Sequence, residues 1–317
     1  MLSFLTARRR PGWMALVSQG GEMALAHVVR DRRARPEVCL LERFSLDGNE
    51  GQVLQRLKVA RRLKSYRCTT LIGDGEYSLS PVEAPAVPLD ERKEALRWLI
   101  RDLVSYPVDN ACLDVLEIPS EGQPPGRPAS VIVVSAGEAA VRARIAPFAE
   151  AGVPLDVIDI PELAQRNVAA LLEDDNRGLV FLRIDESGMM LTLTFHGELI
   201  AIRRGEMNTR QLTGDDAALR ERVQERLVLE VQRSLDNFDR QFSHIPVSKV
   251  VLAAYPVVEN LTEALREVIY LPVHEIDLAA VLDFPSIPEL KQPQNQARNV
   301  LAIGAALRAT PQAGAKG

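Results

Sequence analysis

The side chains best suited to chemistry are few and dispersed. His27, His196, His244 and His274 show no HxxxH or HxH spacing, the arrangement by which one helix or strand face offers two imidazoles to a metal. Cys39, Cys68 and Cys112 form no CxxC pair, which excludes a zinc ribbon and a disulfide framework and fits buried thiols in a reducing compartment. Neither a G-x-S-x-G elbow nor a P-loop occurs. Asp174-Asp175 and Asp215-Asp216 fall between periodic segments, where acids cap helices or solvate loops. Gly73-Asp74-Gly75 is a turn signal. Two places set acids beside useful neighbours. In Arg183-Ile184-Asp185-Glu186-Ser187-Gly188, the aspartate, serine and glycine make a turn. Glu230 and Arg233 sit three apart on a helical pattern, the spacing of a surface ion pair. No residue is assigned a catalytic role and none a metal.

The elements that must position these groups follow from periodicity. Residues 13–18 and 22–29 alternate around Gly20-Gly21, the pair a tight hairpin turn needs. A third strand over 37–44, a basic helix over 51–65 and a short buried strand at 68–72 follow. This order predicts a mixed sheet covered by helices. Pro81, Pro85 and Pro88 keep the next passage extended. A helix to about residue 104 should present Leu96, Leu99, Ile100 and Leu103 on one side. Strands at 112–118 and 130–135 flank a loop at 120–128 too rich in Pro and Gly for regular structure. A helix over 137–151 should end in a left-handed cap at Gly152, before a strand at 157–160 and a helix at 161–173. From Gly178 the opening theme returns: a strand, a turn, a strand over 189–195, a second turn at His196-Gly197 and a returning strand. A long helix at 215–242 carries Leu227, Val231, Leu235, Phe238 and Phe242 on one face. The repetition predicts two duplicated α/β halves.

Composition narrows the function class. Hydrophobic residues make up 46% of 317, enough for two cores. No run reaches the roughly 18 apolar residues of a membrane span. The opening MLSFLTARRR places charge after its apolar patch, the reverse of a signal peptide. Net charge is −5, yet residues 1–70 hold 14 Lys/Arg against 6 Asp/Glu. The cationic surfaces at 8–10 and 56–64 should therefore face an acidic partner or an anionic membrane. With aromatics at 5% and no stacking platform, nucleic acid is not an expected partner.

Several segments together resemble one family. Residues 229–236 carry Glu230, Arg233, Ser234 and Leu235 in the order E-x-x-R-S-L, similar to a helix signature of the PilM-like proteins of type IV pilus machinery. Val250-Val251-Leu252-Ala253-Ala254 and residues 271–277 resemble that family's third nucleotide motif and the strand after it. Residues 95–98, 106–109, 113–114 and 151–159 resemble its inserted subdomain and exit, 299–307 its closing helix, and 11–17 its opening. No motif is strong alone; order and spacing over nearly the whole chain carry the likeness, which is greatest to the branch serving the mannose-sensitive haemagglutinin (MSHA) pilus.

The resemblance implies an actin-like (ribonuclease H-like) α/β fold of two duplicated halves. Residues 1–88 and 159–176 would form the first half, 89–158 a small inserted subdomain, 177–308 the second half and 309–317 a disordered tail. It implies a cytoplasmic place under the inner membrane, contact with the tail of a bitopic PilN-like membrane protein, and communication with the assembly ATPase. Trp98, Leu99, Leu103 and Tyr106 are the candidates for the partner contact, near a groove between the first half and the insert. The implied nucleotide cleft would contain Ser18, Asp185, Ser187, Gly188, Glu230, Arg233, Ala253 and Ala254. Its motifs depart from the family pattern. Ala15 and Val17 stand in the first turn where a carboxylate and glycine belong. Counted from the Gly197 turn, the second aspartate falls at Arg183, and Ala253-Ala254-Tyr255 replaces a glycine pair. A scaffold without hydrolysis is expected, with an ATP/Mg-binding switch as the alternative. A sugar-kinase-type enzyme lacks its aspartate and phosphate glycines.

Overall fold

A computed structural model describes residues 9–31, 34–88, 90–119 and 129–309. The loop expected at 120–128, the tail beyond residue 309 and Arg8 lie outside the described residues. The first half opens with β1 (Trp13–Gln19) and β2 (Glu22–Val29), joined by Gly20-Gly21 at φ +59° and +78°. Only such left-handed values let a two-residue turn follow the strand twist. Then come β3 (Glu37–Ser45), α1 (Glu50–Ala60), capped by Asn49 accepting from the Gln52 amide at 3.1 Å, and β4 (Arg67–Leu71).

The insert holds β5 (Tyr77–Glu83), α2 (Arg92–Leu99), β6 (Cys112–Glu117) and β7 (Ser130–Ala136), whose strands form a separate sheet ordered β5-β7-β6. The chain then returns through α3 (Glu138–Ala151), β8 (Val157–Asp159) and α4 (Pro161–Leu172). Gly152 at φ +63° closes α3, and the Val153 amide reaches back to the Phe148 carbonyl at 2.9 Å.

The second half repeats the plan with β9 (Gly178–Asp185), β10 (Gly188–Phe195), β11 (Glu198–Gly205), α5 (Thr209–Thr213), α6 (Ala217–Gln241), β12 (Val247–Ala254), α7 (Leu261–Val268), β13 (Val273–Glu275) and α8 (Pro293–Ala306). The two five-stranded sheets, β3-β2-β1-β4-β8 and β11-β10-β9-β12-β13, have one topology. In each, an antiparallel meander leads to two strands parallel to the first. This duplicated sheet order defines an actin-like fold.

The expected insert boundaries need correction. Its sheet begins at β5, before residue 89, and ends at β7. Helix α3 and strand β8 belong to the first half: Phe148 and Ala151 join Met14, Leu16 and Leu54 in one core, and β8 pairs with β4. Helix α2 is also shorter than expected. Leu96 and Ile100 are buried against Val131 and Val133, while Leu99 and Leu103 face solvent. One helix stripe is all that a three-stranded sheet face covers, and past Leu99 the chain turns instead of continuing that stripe.

Helices α4 and α8 cross between the halves. Their apolar faces share one core with Ala15, Val17 and Ala26 of the first sheet and Leu179 and Phe181 of the second. At the crossing, Asn167 Nδ2 donates to the Gly304 carbonyl at 2.9 Å.

Candidate functional site

The two halves bring their first hairpin turns face to face. In the second turn Asp185 Oδ1 accepts from the Ser187 amide at 2.8 Å and from the Ser187 hydroxyl. Its Oδ2 accepts from Gln19 Nε2 of the first turn at 3.0 Å and from Arg183 Nη1. Four donors occupy about the full acceptor capacity of one carboxylate. Burial draws the Arg183 guanidinium down to about 10, against the opposing pull of Asp74 and Glu162, and its Nε has no partner.

Ser18 turns the other way. Its hydroxyl donates to Glu50 Oε1 at 2.8 Å, and Glu50 also pairs with Arg144. Neighbours on a strand point to opposite faces, so only one of Ser18 and Gln19 can reach across the cleft. That residue is Gln19, which the motif-based expectation missed; the alternation of β1 was the available signal.

The third motif lies beside the second turn. Ala253 pairs in register with Arg183 and Ala254 with Ile184, and the Tyr255 amide donates to the Ile184 carbonyl at 2.9 Å. Arg298 lies over the Tyr255 ring at 5.1 Å and reaches Glu22 of the first turn at 2.9 Å. So Asp185, Ser187, Gly188, Ala253 and Ala254 cluster at one end of the second sheet. Glu230 and Arg233, expected in the same cleft, do not join them. Glu230 accepts from Arg203 Nε at 2.9 Å, over β11 at the opposite edge from β13, and Arg233 is exposed. Among the described residues no group of three or more His, Cys, Asp or Glu could hold a metal ion.

Behind the cleft a charged network ties insert to halves. Glu162 of α4 is fully buried and accepts from Arg204 Nε at 2.7 Å and from the Tyr77 hydroxyl at 2.6 Å. Arg204 also reaches Asp74 at 3.3 Å. Burial and the Glu162 charge both push the Tyr77 phenol up. Burial alone would lower Arg204, but the charges of Glu162 and Asp74 and the hydrogen bond to Glu162 outweigh it and raise the guanidinium.

On the insert, Trp98 is 72% exposed, Leu99 50% and Leu103 60%. Tyr106 is half-buried, its hydroxyl donating to the Ser135 carbonyl at 2.7 Å. Three of the four expected contact residues thus form an apolar surface, and the fourth anchors to β7. The basic face of α1 is partly used internally. Lys58 Nζ donates to the Ala151 carbonyl at 2.6 Å and Arg61 pairs with Glu42, leaving Arg56, Arg62 and Lys64 exposed. Of the flanking arginines, Arg9 pairs with Asp156, and Arg10 Nη1 donates to the Tyr66 hydroxyl at 2.9 Å. Among the described residues no helix is long and apolar enough to cross a membrane.

No family model matches the sequence, and no curated protein matches it. Solved structures do. The chain is similar to one in a PilM-PilN type IV pilus biogenesis complex, at 20% identity, with 94% of this chain and 98% of that one covered and a TM-score of 0.76. The fold is thereby shared with a protein of that complex. A weaker likeness, TM-score 0.49 at 11% identity, joins it to the cytoplasmic domain of EpsL, an inner-membrane component of the Vibrio cholerae type II secretion system, over 94% and 95% of the two chains.

Proposed function

We propose that the chain is a cytoplasmic scaffold at the inner membrane, within a type IV pilus assembly platform of the MSHA kind. It binds the cytoplasmic tail of a PilN-like bitopic membrane protein and links it, directly or through other components, to the assembly ATPase. The observation that carries this proposal is the solvent-facing Trp98, Leu99 and Leu103 on an insert whose opposite helix stripe is already packed. Three large exposed apolar side chains within six residues are the kind of surface that marks an interaction site, and tryptophan is among the residue types that dominate binding energy. The similar solved chain comes from a PilM-PilN type IV pilus biogenesis complex. Arg56, Arg62 and Lys64 on the first half would add attraction to an anionic leaflet.

The scaffold would act without hydrolysis. Asp185 is saturated by protein donors, Ala15 and Val17 are buried within β1, and Tyr255 sits beneath Arg298. The alternative, an ATP-binding switch, is favoured by Asp185, Gly188 and Ala254 lying together. The test is titration of a labelled PilN-like tail peptide, followed by its fluorescence anisotropy, with and without Mg-ATP. Equal binding in both conditions is expected, and Trp98→Ser with Leu103→Ser should weaken it by about tenfold or more while leaving the fold intact, because both positions are exposed. Failure of every such tail to bind removes the scaffold. A melting temperature raised by Mg-ATP in the wild type and unmoved in Asp185→Ala would establish the switch instead.

A further inference from the structure

The second half carries a groove of about 950 Å³ between the N-terminal part of α6, α7 and residues 257–260. Val228 and Leu212 lie buried in its floor. Its walls expose three large apolar side chains: Leu229 at 48%, Val257 at 55% and Val268 at 44%. Glu221, Glu225, Glu259 and Glu267 line it as well, and among the described residues none of these four forms an ion pair. The cation of the lining, Arg220, is held by the Gly214 carbonyl at 2.6 Å.

We propose that this groove docks a basic amphipathic helix of a partner protein. An apolar floor and walls take the side chains that a helix repeats at i, i+3/i+4 and i+7. Four unpaired carboxylates select lysine or arginine on the flanks of that helix and steer its approach. The same charges repel a nucleotide triphosphate. The basic surface around α1 of a second copy of this chain is a poorer occupant. Its exposed cations Arg56, Arg62 and Lys64 have only Val59 as a large exposed apolar neighbour on α1, too little to fill the walls.

The experiment uses the full chain and a labelled 15-residue Leu/Lys peptide with apolar residues at that spacing, read by fluorescence anisotropy. Saturable binding is expected, weakened about tenfold or more by Glu221→Lys with Glu225→Lys, and similarly by Glu259→Lys, a loop position that leaves α6 untouched. A scrambled peptide of equal charge should bind about tenfold worse, because its apolar residues no longer share a face. Trp98→Ser should change nothing, which separates this site from the tail-binding surface. Equal binding of the scrambled peptide, or indifference to the charge reversals, overturns the proposal. Displacement by Mg-ATP would assign the groove to a nucleotide, and sedimentation rising with concentration and abolished by Glu221→Lys would assign it to a second copy. Either result overturns it too.

Discussion

Replacing Arg204 by methionine should destabilise the protein by about 3 kcal/mol, read as loss of free energy in urea unfolding and a melting temperature lower by about 4–5 °C. The cause is Glu162. Its carboxylate is fully buried on α4, and it accepts from Arg204 and the Tyr77 hydroxyl. Methionine keeps most of the arginine's volume, so the cavity contribution is small. What remains is a buried carboxylate hydrogen-bonded to a phenol, with Arg183 near enough to feel its charge but not paired with it. Removing one partner of a buried pair costs about 3–5 kcal/mol, and the lower end applies because the Arg204 side chain is itself 38% exposed and gains hydration when unpaired. The double change Arg204→Met with Glu162→Gln should recover most of the loss, since a neutral amide no longer requires the cation. If Arg204→Met costs less than about 1 kcal/mol, as exposed pairs do, the network is not what holds insert and halves together.

That network also shows what the sequence could and could not reveal. Glu162 follows Pro161 in a helical first turn, where an acid ordinarily favours the helix dipole and stays wet. Nothing local announces that Arg204, 42 positions on, will cover it. Hairpins were legible because their chemistry is local. Gly20-Gly21 and His196-Gly197 adopt the positive φ values their turns need, and Leu227, Val231, Leu235 and Phe238 are buried along α6 as their spacing predicts. The insert's limits were not legible. Tyr77–Glu83 contains Pro81 and is an edge strand of its sheet, where a missing amide is tolerated, so it read only as an extended passage of the first half. Val157–Asp159 has three residues, and its parallel partner β4 lies more than eighty positions earlier, beyond any local pattern. In the cleft, motif matching fixed on Ser18 and passed over Gln19, because strand phase and not residue type decides which side chain crosses. Leu99 and Leu103 carried two readings, one stripe with Leu96 and a partner contact, and only packing shows where the covering sheet stops.

Gly304 of α8 packs directly against the backbone of α4, and alanine there should destabilise by about 2–3 kcal/mol. On an open helix the same change would stabilise by about 1 kcal/mol, since glycine is the poorer helix former. Here a β-carbon would lie 2.0 Å from the Ala164 carbonyl oxygen and 2.6 Å from its carbon. Both obstacles are backbone of α4, so no side-chain rotation relieves them and the helices must separate. Separation strips contacts from Ala302, Ile303 and Ala305 on α8 and from Val168 on α4, all buried in the shared core. It also lengthens the hydrogen bond from Asn167 to the Gly304 carbonyl. Because this core includes both sheets, the cleft turns should part as well, and the Gln19–Asp185 bond should weaken with them. Gly304→Ala should therefore lower the melting temperature and raise amide exchange at residues 185–188 together. Gly304→Val, with a β-branched side chain against the same carbonyl, should be worse in both readouts. A Gly304→Ala protein as stable as the wild type would show that the helices cross with room to spare, and the coupling of the two turns would then have to reside in their side chains alone.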